Sequence, residues 1–478
     1  MSTSPAPAAA GHHPEPGEVR RPWTVLALLL AAQFMVVLDV SVVNVALPSI
    51  GADLHLSSSS YQWTVSAYVL MSGGLLLLGG RIADLLDRRT VFVTGLAVFT
   101  LGSLASGLAG SATALVLSRA GQGMGAALLT PAALSIVLTT YAGRQRAAAL
   151  AVWGTVGSMG IAAGVLFGGL LTSALDWRAV FFINFPIGLN VLVGVLRLVP
   201  RGESRRLRGL DLPGAVALVV GLLALVRTIE AAGRDGWTTT TVLTGAAAAV
   251  LLTGFALLEH RTRDPLVPPR IWRVRSLVSA STVMAGVTGA VVGAIFLSSI
   301  YLQQVLGASP VVAGLQLLPL AAAISLSAAV ASHLLPHAGP RLLIAVGLVV
   351  CAGAALLLST AGADATYVAD VLPGFLLLGA GVGPMFVAIS VGAMADVPDH
   401  AAGLASGLMM TGHEVGAALG VALLTTVAGD LTTRAGLVAG YGDAFVAVAA
   451  LCLALLVPTS LVPRTAAAGA GGHGHHGH

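Results

Sequence analysis

The chain has 478 residues, of which 56% are hydrophobic and 9% charged, against roughly 25% charged residues in a soluble domain; its mean hydropathy is +0.92. A formal net charge of +4 would by itself suit a nucleic-acid partner, but the arginines fall in short gaps between apolar runs, which assigns that charge to membrane-flanking loops. No lysine occurs in the sequence, which excludes a P-loop and a lysine Schiff base, so any energy source is an ion gradient or a separate subunit.

Residues 1–22, beginning MSTSPAPAAAGHH, are Pro/Ala-rich and expected to form a disordered cytoplasmic tail. The apolar run from Trp23 is too long for a signal-peptide core and is read as a retained first span. Within it stands Asp39, about eleven residues, roughly 15 Å, from the nearer end of the run at Ser49. A carboxylate at the centre of a spanning helix costs about 2.5–3.5 kcal/mol on insertion scales. Burial favours the neutral acid and a nearby cation favours the carboxylate, the balance a proton site requires. Asp39 is therefore a candidate coupling residue, with local capping or packing as the plainer alternative.

At ~20 apolar residues per crossing, the chain gives about fourteen spans, near 23–47, 61–80, 90–110, 114–139, 148–173, 179–199, 212–231, 239–258, 277–304, 311–335, 341–361, 367–393, 401–427 and 442–462. The fourth carries Arg119, with Gln122 and Gly123 on the same face. An arginine at this depth faces a bundle interior or a wet cavity, often near an acid, unless it snorkels to the surface. Whether Arg119 meets Asp39 is left open by their positions. The fifth span spaces Gly160, Gly164 and Gly168 four apart, a face that a neighbouring helix can approach closely. Arg227 and Glu230, near the end of the seventh, read as a local ion pair.

In the twelfth span LLGAGVG (Leu377–Gly383) repeats the glycine spacing of RAGQGMG (Arg119–Gly125), and the thirteenth repeats the glycines of the fifth at Gly412, Gly416 and Gly420. Two matches in the same order point to two related bundles with spans seven and eight inserted between them, with binding near the midplane at their interface. Leu377 and Ala380 stand where Arg119 and Gln122 stand in the first half, so the charged machinery is concentrated there. In span thirteen Met409 lies over His413 and Met410 over Glu414. An acid-bearing thioether surface suits varied apolar cations, and plain packing is the alternative. Asn44, Gln122, Met409, His413 and Glu414 are the candidate substrate contacts. Cys351 and Cys452 read as small buried hydrophobes. The His/Gly-rich tail, residues 465–478, is expected to be solvated.

One set of alternate loops holds Arg20 and Arg21, Arg81, Arg88 and Arg89, Arg144 and Arg146, Arg201, Arg205, Arg206 and Arg208, and Arg261, Arg263, Arg270, Arg273 and Arg275; the other holds Arg178, Arg234 and Arg434. That asymmetry places both termini in the cytoplasm.

Several segments, in order, resemble the major facilitator superfamily, specifically its fourteen-span drug:proton antiporter branch (EmrB/QacA-like multidrug efflux transporters), over nearly the whole chain. LDVSVVNVALP (Leu38–Pro48) is similar to the first-span motif of that branch, GRIADLLDRR (Gly80–Arg89) to the superfamily's loop motif, and RAGQGMGAA to its fourth-span motif. GIAAGVLFGG (Gly160–Gly169) resembles the antiporter motif, and DWRAVFFINFPIG (Asp176–Gly188) a fourteen-span hallmark. The resemblance implies proton coupling at Asp39 and Arg119, a cytoplasmic latch from Asp84, Arg88 and Arg89, and close helix packing at Gly160, Gly164, Gly168 and Gly169. The chain departs from the pattern at Leu85, which replaces an arginine, at Asp87, which replaces a glycine, and at Val165, which replaces a proline.

The expected fold is all-α and integral to the membrane. It comprises an N-terminal six-helix bundle over 23–210, an inserted helix pair with its cytoplasmic loop over 211–270, and a C-terminal six-helix bundle over 271–464. The expected function is export of amphiphilic drug-like compounds across the bacterial cytoplasmic membrane in exchange for protons, by alternating access. A proton would bind Asp39 from outside, with Arg119 governing or relaying it. No catalytic residue, metal or cofactor is expected beyond the proton gradient. The expected partners are the lipid bilayer, protons and the amphiphilic substrate, with no nucleic acid, and the chain is expected to act as a monomer. The rivals are a narrow exporter of one endogenous metabolite, which a panel of unrelated compounds would separate, and, with less support, a membrane-embedded enzyme or a channel.

Overall fold

A computed structural model describes residues 22–141, 143–201, 211–262, 265–397, 402–431 and 433–464, and these contain helices and no strand. The expectations for both tails, and for the side chain of Asp84, lie outside the described residues. Hydrocarbon offers no water to an open backbone N–H or C=O, so a crossing segment closes its own hydrogen bonds as a helix. The N-terminal half holds α1 (Pro22–Leu54), α2 (Ser58–Leu85), α3 (Arg88–Gly107), α4 (Ala112–Thr140), α5 (Gly143–Ala174), the single turn α6 (Ala179–Phe182) and α7 (Asn184–Leu198). Then come α8 (Leu212–Asp235) and α9 (Thr239–Arg261). The C-terminal half holds α10 (Arg275–Gln304), α11 (Pro310–Leu358), α12 (Leu372–Met394), α13 (Ala402–Ala428), α14 (Arg434–Ala454) and the turn α15 (Leu456–Thr459).

Among the described residues, 12 stretches are long and apolar enough to cross a membrane. One of them, α11, is two helices joined where Gly339 adopts φ 72°, a conformation that L side chains avoid, just before Pro340. The helix α5, with 32 residues, is a further long element. The helices are thus compatible with twelve to fourteen crossings.

Capping chemistry differs between the two ends of the protein. At the arginine-poor end, hydroxyl side chains of Ser57, Ser111, Thr238, Ser309 and Thr433 accept from the first-turn N–H groups of α2, α4, α9, α11 and α14. At the arginine-rich end the caps are acids, Asp87 on α3 and Asp211 on α8. The acid that departs from the loop motif is therefore a helix cap: its carboxylate accepts from Thr90 N at 3.2 Å and Thr90 Oγ1 at 2.7 Å.

Glycines mark where helices touch. A Cβ added at Gly160 would stand 2.9 Å from Val37 Cγ1, one at Gly164 2.8 Å from the carbonyl of Leu38, and one at Gly168 2.9 Å from that of Val42. α5 thus packs on α1. In the other half, a Cβ at Gly416 would lie 2.5 Å from Ala285 Cα, and one at Gly420 would collide with the backbone of Gly289, so α13 packs on α10 in the same way. The other glycine repeat also marks close contacts, but with the partners exchanged between the matching positions, Gly123 with Gly381 and Gly125 with Gly383. Gly123 meets α2 and Gly125 meets α3, while Gly383 and Gly381 meet the first and second parts of α11. The halves join at the arginine-poor end, where Ser299 Oγ donates to the Asn44 carbonyl at 2.8 Å and Gln303 Nε2 to that of Val45 at 3.0 Å. Gly169 packs on Pro310 at that end.

Gly420→Leu is expected to lower the thermal midpoint of the purified protein by an amount corresponding to about 1–3 kcal/mol of overpacking. Gly353→Leu, where an added Cβ meets nothing within 4 Å, should leave the midpoint in place; equal midpoints for the two variants would contradict this packing.

Candidate functional site

Asp39 lies near the middle of the 33-residue α1 and is 0% exposed, while Arg119 on α4 is 1% exposed. Arg119 Nη1 reaches Asp39 Oδ2 at 2.5 Å, so the two charges form a buried ion pair. The other carboxylate oxygen, Oδ1, accepts from Gln122 Nε2 at 2.7 Å and from Asn184 Nδ2 at 2.9 Å. Arg119 Nη1 also donates to Gln122 Oε1 at 2.7 Å, and its Nε donates to the Thr64 carbonyl at 3.3 Å. The guanidinium lies 4.3 Å from the centre of the Tyr68 ring, a cation–π contact that gains strength where water is absent.

Local structure explains how these groups converge. Gln122 follows Arg119 by one helical step and so shares its face. Asn184 opens α7 immediately after the α6 turn, where Pro186 has no N–H to give to the carbonyl of Phe182 and the helix is interrupted. Its second amide hydrogen goes to Ser103 Oγ on α3 at 2.9 Å, and Ser103 in turn donates to the Phe181 carbonyl at 2.9 Å. Asn184 Oδ1 is buried and has no hydrogen-bond partner among the described residues.

Every partner of the Asp39 carboxylate is a donor. A buried carboxylate is tolerated when it is paired and its lone pairs are used, and three donors on two helices, α4 and α7, supply that here. Asp39, Arg119 and Gln122 are legible in the sequence, and Gln122 engages this network with both ends of its amide. Asn184, Ser103, Thr64 and Tyr68 are not singled out by the sequence, where the signal for Asn184 is one amide inside the apolar run VFFINFPIG.

The other candidates lie elsewhere. Asn44 is buried, bonds its own helix at the Val40 carbonyl (3.1 Å), and sits where α1 meets α10. Glu414 Cβ packs on Gly73 of α2, and Glu414 Oε1 lies 3.6 Å from Nδ1 of His413, whose ring is 6.1 Å from that of Phe386. Met409 is half-buried and Met410 is exposed. Among the latch residues, Arg89 Nη2 donates to the carbonyl of Leu196 in the last turn of α7 at 2.7 Å, and Arg88 opens α3 half-buried. Cys351 and Cys452 are buried free thiols.

Residues 29–421 match the Major Facilitator Superfamily. The chain is 41% identical over 90% of its length to the puromycin resistance protein pur8 of Streptomyces alboniger, covering 86% of that protein. It is 39% identical to the cephamycin export protein CmcT of Amycolatopsis lactamdurans, over 93% of both chains. It is 34% identical to the multidrug resistance protein Stp of Mycobacterium tuberculosis, over 82% of this chain and 73% of that one. Among solved structures, a bacterial homologue of the human lysosomal transporter Spinster superposes with TM-score 0.65 at 18% identity, over 92% of this chain and 96% of that one.

Removing one member of a buried pair strands the other at a cost of about 3–5 kcal/mol. Asp39→Leu, which leaves a guanidinium that cannot neutralise, is expected to lower the thermal midpoint more than Arg119→Met, whose carboxyl partner can take up a proton. The double variant should recover most of the loss. A double variant as unstable as the sum of the two single variants would show that the pair is not coupled.

Proposed function

The chain belongs to the Major Facilitator Superfamily, and on that premise we propose that it exports amphiphilic antibiotic-like compounds across the bacterial cytoplasmic membrane in exchange for protons. The observation that carries the proton part is the Asp39 network, in which a buried carboxylate faces only donors. The export part is supported by the relatives, named for antibiotic resistance, antibiotic export and multidrug resistance.

In this reading the arginine-rich loops and both termini face the cytoplasm, and the outer side is closed by the contacts of α1 with α10. A proton reaching Asp39 turns one of its acceptor oxygens into a donor that points at other donors. The ion pair is lost and Arg119 is left charged inside the protein, so the network has to rearrange. Two features receive the change. The Tyr68 ring holds the freed guanidinium, and a half-turn of the Asn184 amide presents its unpartnered Oδ1 to the new carboxyl hydroxyl. Because these groups sit on α1, α2, α4 and α7, protonation shifts the packing of four helices at once. Proton and substrate need not share a site; they need only favour opposite conformations. Glu414, His413 and Met409 on α13 are the substrate surface in this account, and Asp84, Arg88 and Arg89 the cytoplasmic latch. The proton gradient serves as the energy source, no cofactor is required, and the chain acts as a monomer.

Two relatives carry the names of single antibiotics and one that of many, so a narrow exporter is the second reading; a panel of structurally unrelated compounds separates the two. In proteoliposomes with an imposed pH gradient, Asp39→Asn is expected to lose gradient-driven flux at least tenfold while keeping downhill exchange of substrate. Undiminished driven flux in that variant, at equal protein, would overturn the assignment of Asp39.

A further inference from the structure

The inserted pair α8–α9 has no part in the mechanism above, yet α8 touches both halves of the protein. It runs antiparallel along α2 in constant register. Val219 lies against Gly74, where an added Cβ would stand 3.7 Å from Val219 Cβ. About eleven residues on along α8, and eleven back along α2, roughly 16 Å away, the indole Nε1 of Trp63 donates to Glu230 Oε2 at 2.8 Å. Glu230 is buried and is also held by Arg227 at 2.9 Å and Arg234 at 3.6 Å. On the α13 side the close contacts of Ile229 and Gly233 are with Thr426. The Thr426 hydroxyl donates to the Ile229 carbonyl at 3.4 Å, and Gly233 leaves room for the same side chain, with an added Cβ only 3.1 Å from Thr426 Cβ.

We propose that α8 is part of the N-terminal moving body, and that the segment Ile229 to Gly233 near its C-terminal end is a releasable seat for Thr426 that holds the outer side closed. This rests on the alternating-access reading of the fold. The halves α2 and α13 part at the arginine-poor end when that side opens, and α8 cannot follow both. α8 packs on both helices to a similar extent, but its polar attachment to α2 is a short hydrogen bond to a carboxylate, of the stronger kind, whereas its hydrogen bond to α13 is long and neutral. The second yields first. Gln62, one residue from Trp63 and on the α2 face that meets α13 at Gly73, is 0% exposed, with both amide atoms unpartnered among the described residues. Closure therefore hides a polar group that opening would wet.

The geometry permits two disulfides for the test, since Cβ atoms about 3.5–4.5 Å apart can be bridged. Gly74→Cys with Val219→Cys fixes α8 to α2, and Gly233→Cys with Thr426→Cys fixes it to α13 after a small shift. The native thiols are buried and stay in place. Each pair is assayed in proteoliposomes, oxidised and reduced, for gradient-driven flux and for labelling of an added Gln62→Cys by an impermeant maleimide from outside. The 233–426 disulfide is expected to cut flux at least tenfold and to protect position 62, with both effects reversed by reductant. The 74–219 disulfide should leave both within about twofold of the reduced protein. Normal flux and labelling with 233–426 oxidised, or a block by 74–219, would overturn the proposal, as would an unlabelled position 62 in the uncrosslinked protein. If the parent protein moves no compound, the failure lies with the transport reading, and the labelling of position 62 alone decides whether the seat is released.

Discussion

A carboxylate and a guanidinium buried together in an apolar interior set the terms for the N-terminal half. Neither can remain there charged without the other, and the carboxylate needs further donors for its second oxygen. Those donors have to come from other helices, which requires backbones to approach more closely than ordinary side chains allow. The glycines meet that need beside the site. A Cβ at Gly164 would press on the carbonyl of Leu38, next to Asp39, and one at Gly102 would stand 2.8 Å from the backbone nitrogen of Gln122. The antiporter-like glycine run of α5 and the charge pair are thus two parts of one construction, the first bringing α1 into place and the second using the space so made.

In the proposed reading the same pair makes the site a switch and not only a support. A network of donors around one carboxylate is satisfied in a single protonation state, and its unused acceptor, Asn184 Oδ1, is positioned for the other. The second half repeats the α5–α1 glycine contacts in α13 and α10 but has Leu377 and Ala380 at the places of Arg119 and Gln122. It supplies a matching frame without a matching charge. In this account one half senses the proton, both halves move, and α8 rides with the half that senses.

Legibility in the sequence followed energetic cost. Asp39 and Arg119 stood out because a charge in an apolar span is expensive enough to need a reason. The helical architecture followed from run length, and the inter-half repeat from glycine spacing. Asn184, Ser103 and Tyr68 did not stand out, since a neutral polar or aromatic residue in a span costs little and its role depends on which helices meet. Gln122 is legible by its face, but the sequence does not show that both ends of its amide are occupied. The break in α11 was visible only as a gap between two expected spans. The docking of α8 on α2 was not visible at all: it depends on a register between helices more than a hundred residues apart.

The central claim is that Asp39 itself takes up and releases the proton inside this network. The most direct measurement is the infrared difference spectrum of the purified protein in lipid between alkaline and acidic pH, read in the protonated-carboxyl C=O region. The account predicts a carboxyl band that is absent from Asp39→Asn and displaced in Asn184→Leu, where the amide that would accept its hydrogen bond is gone. A band that persists unchanged in Asp39→Asn, or no such band in wild type across the pH range where flux is gradient-driven, would contradict it.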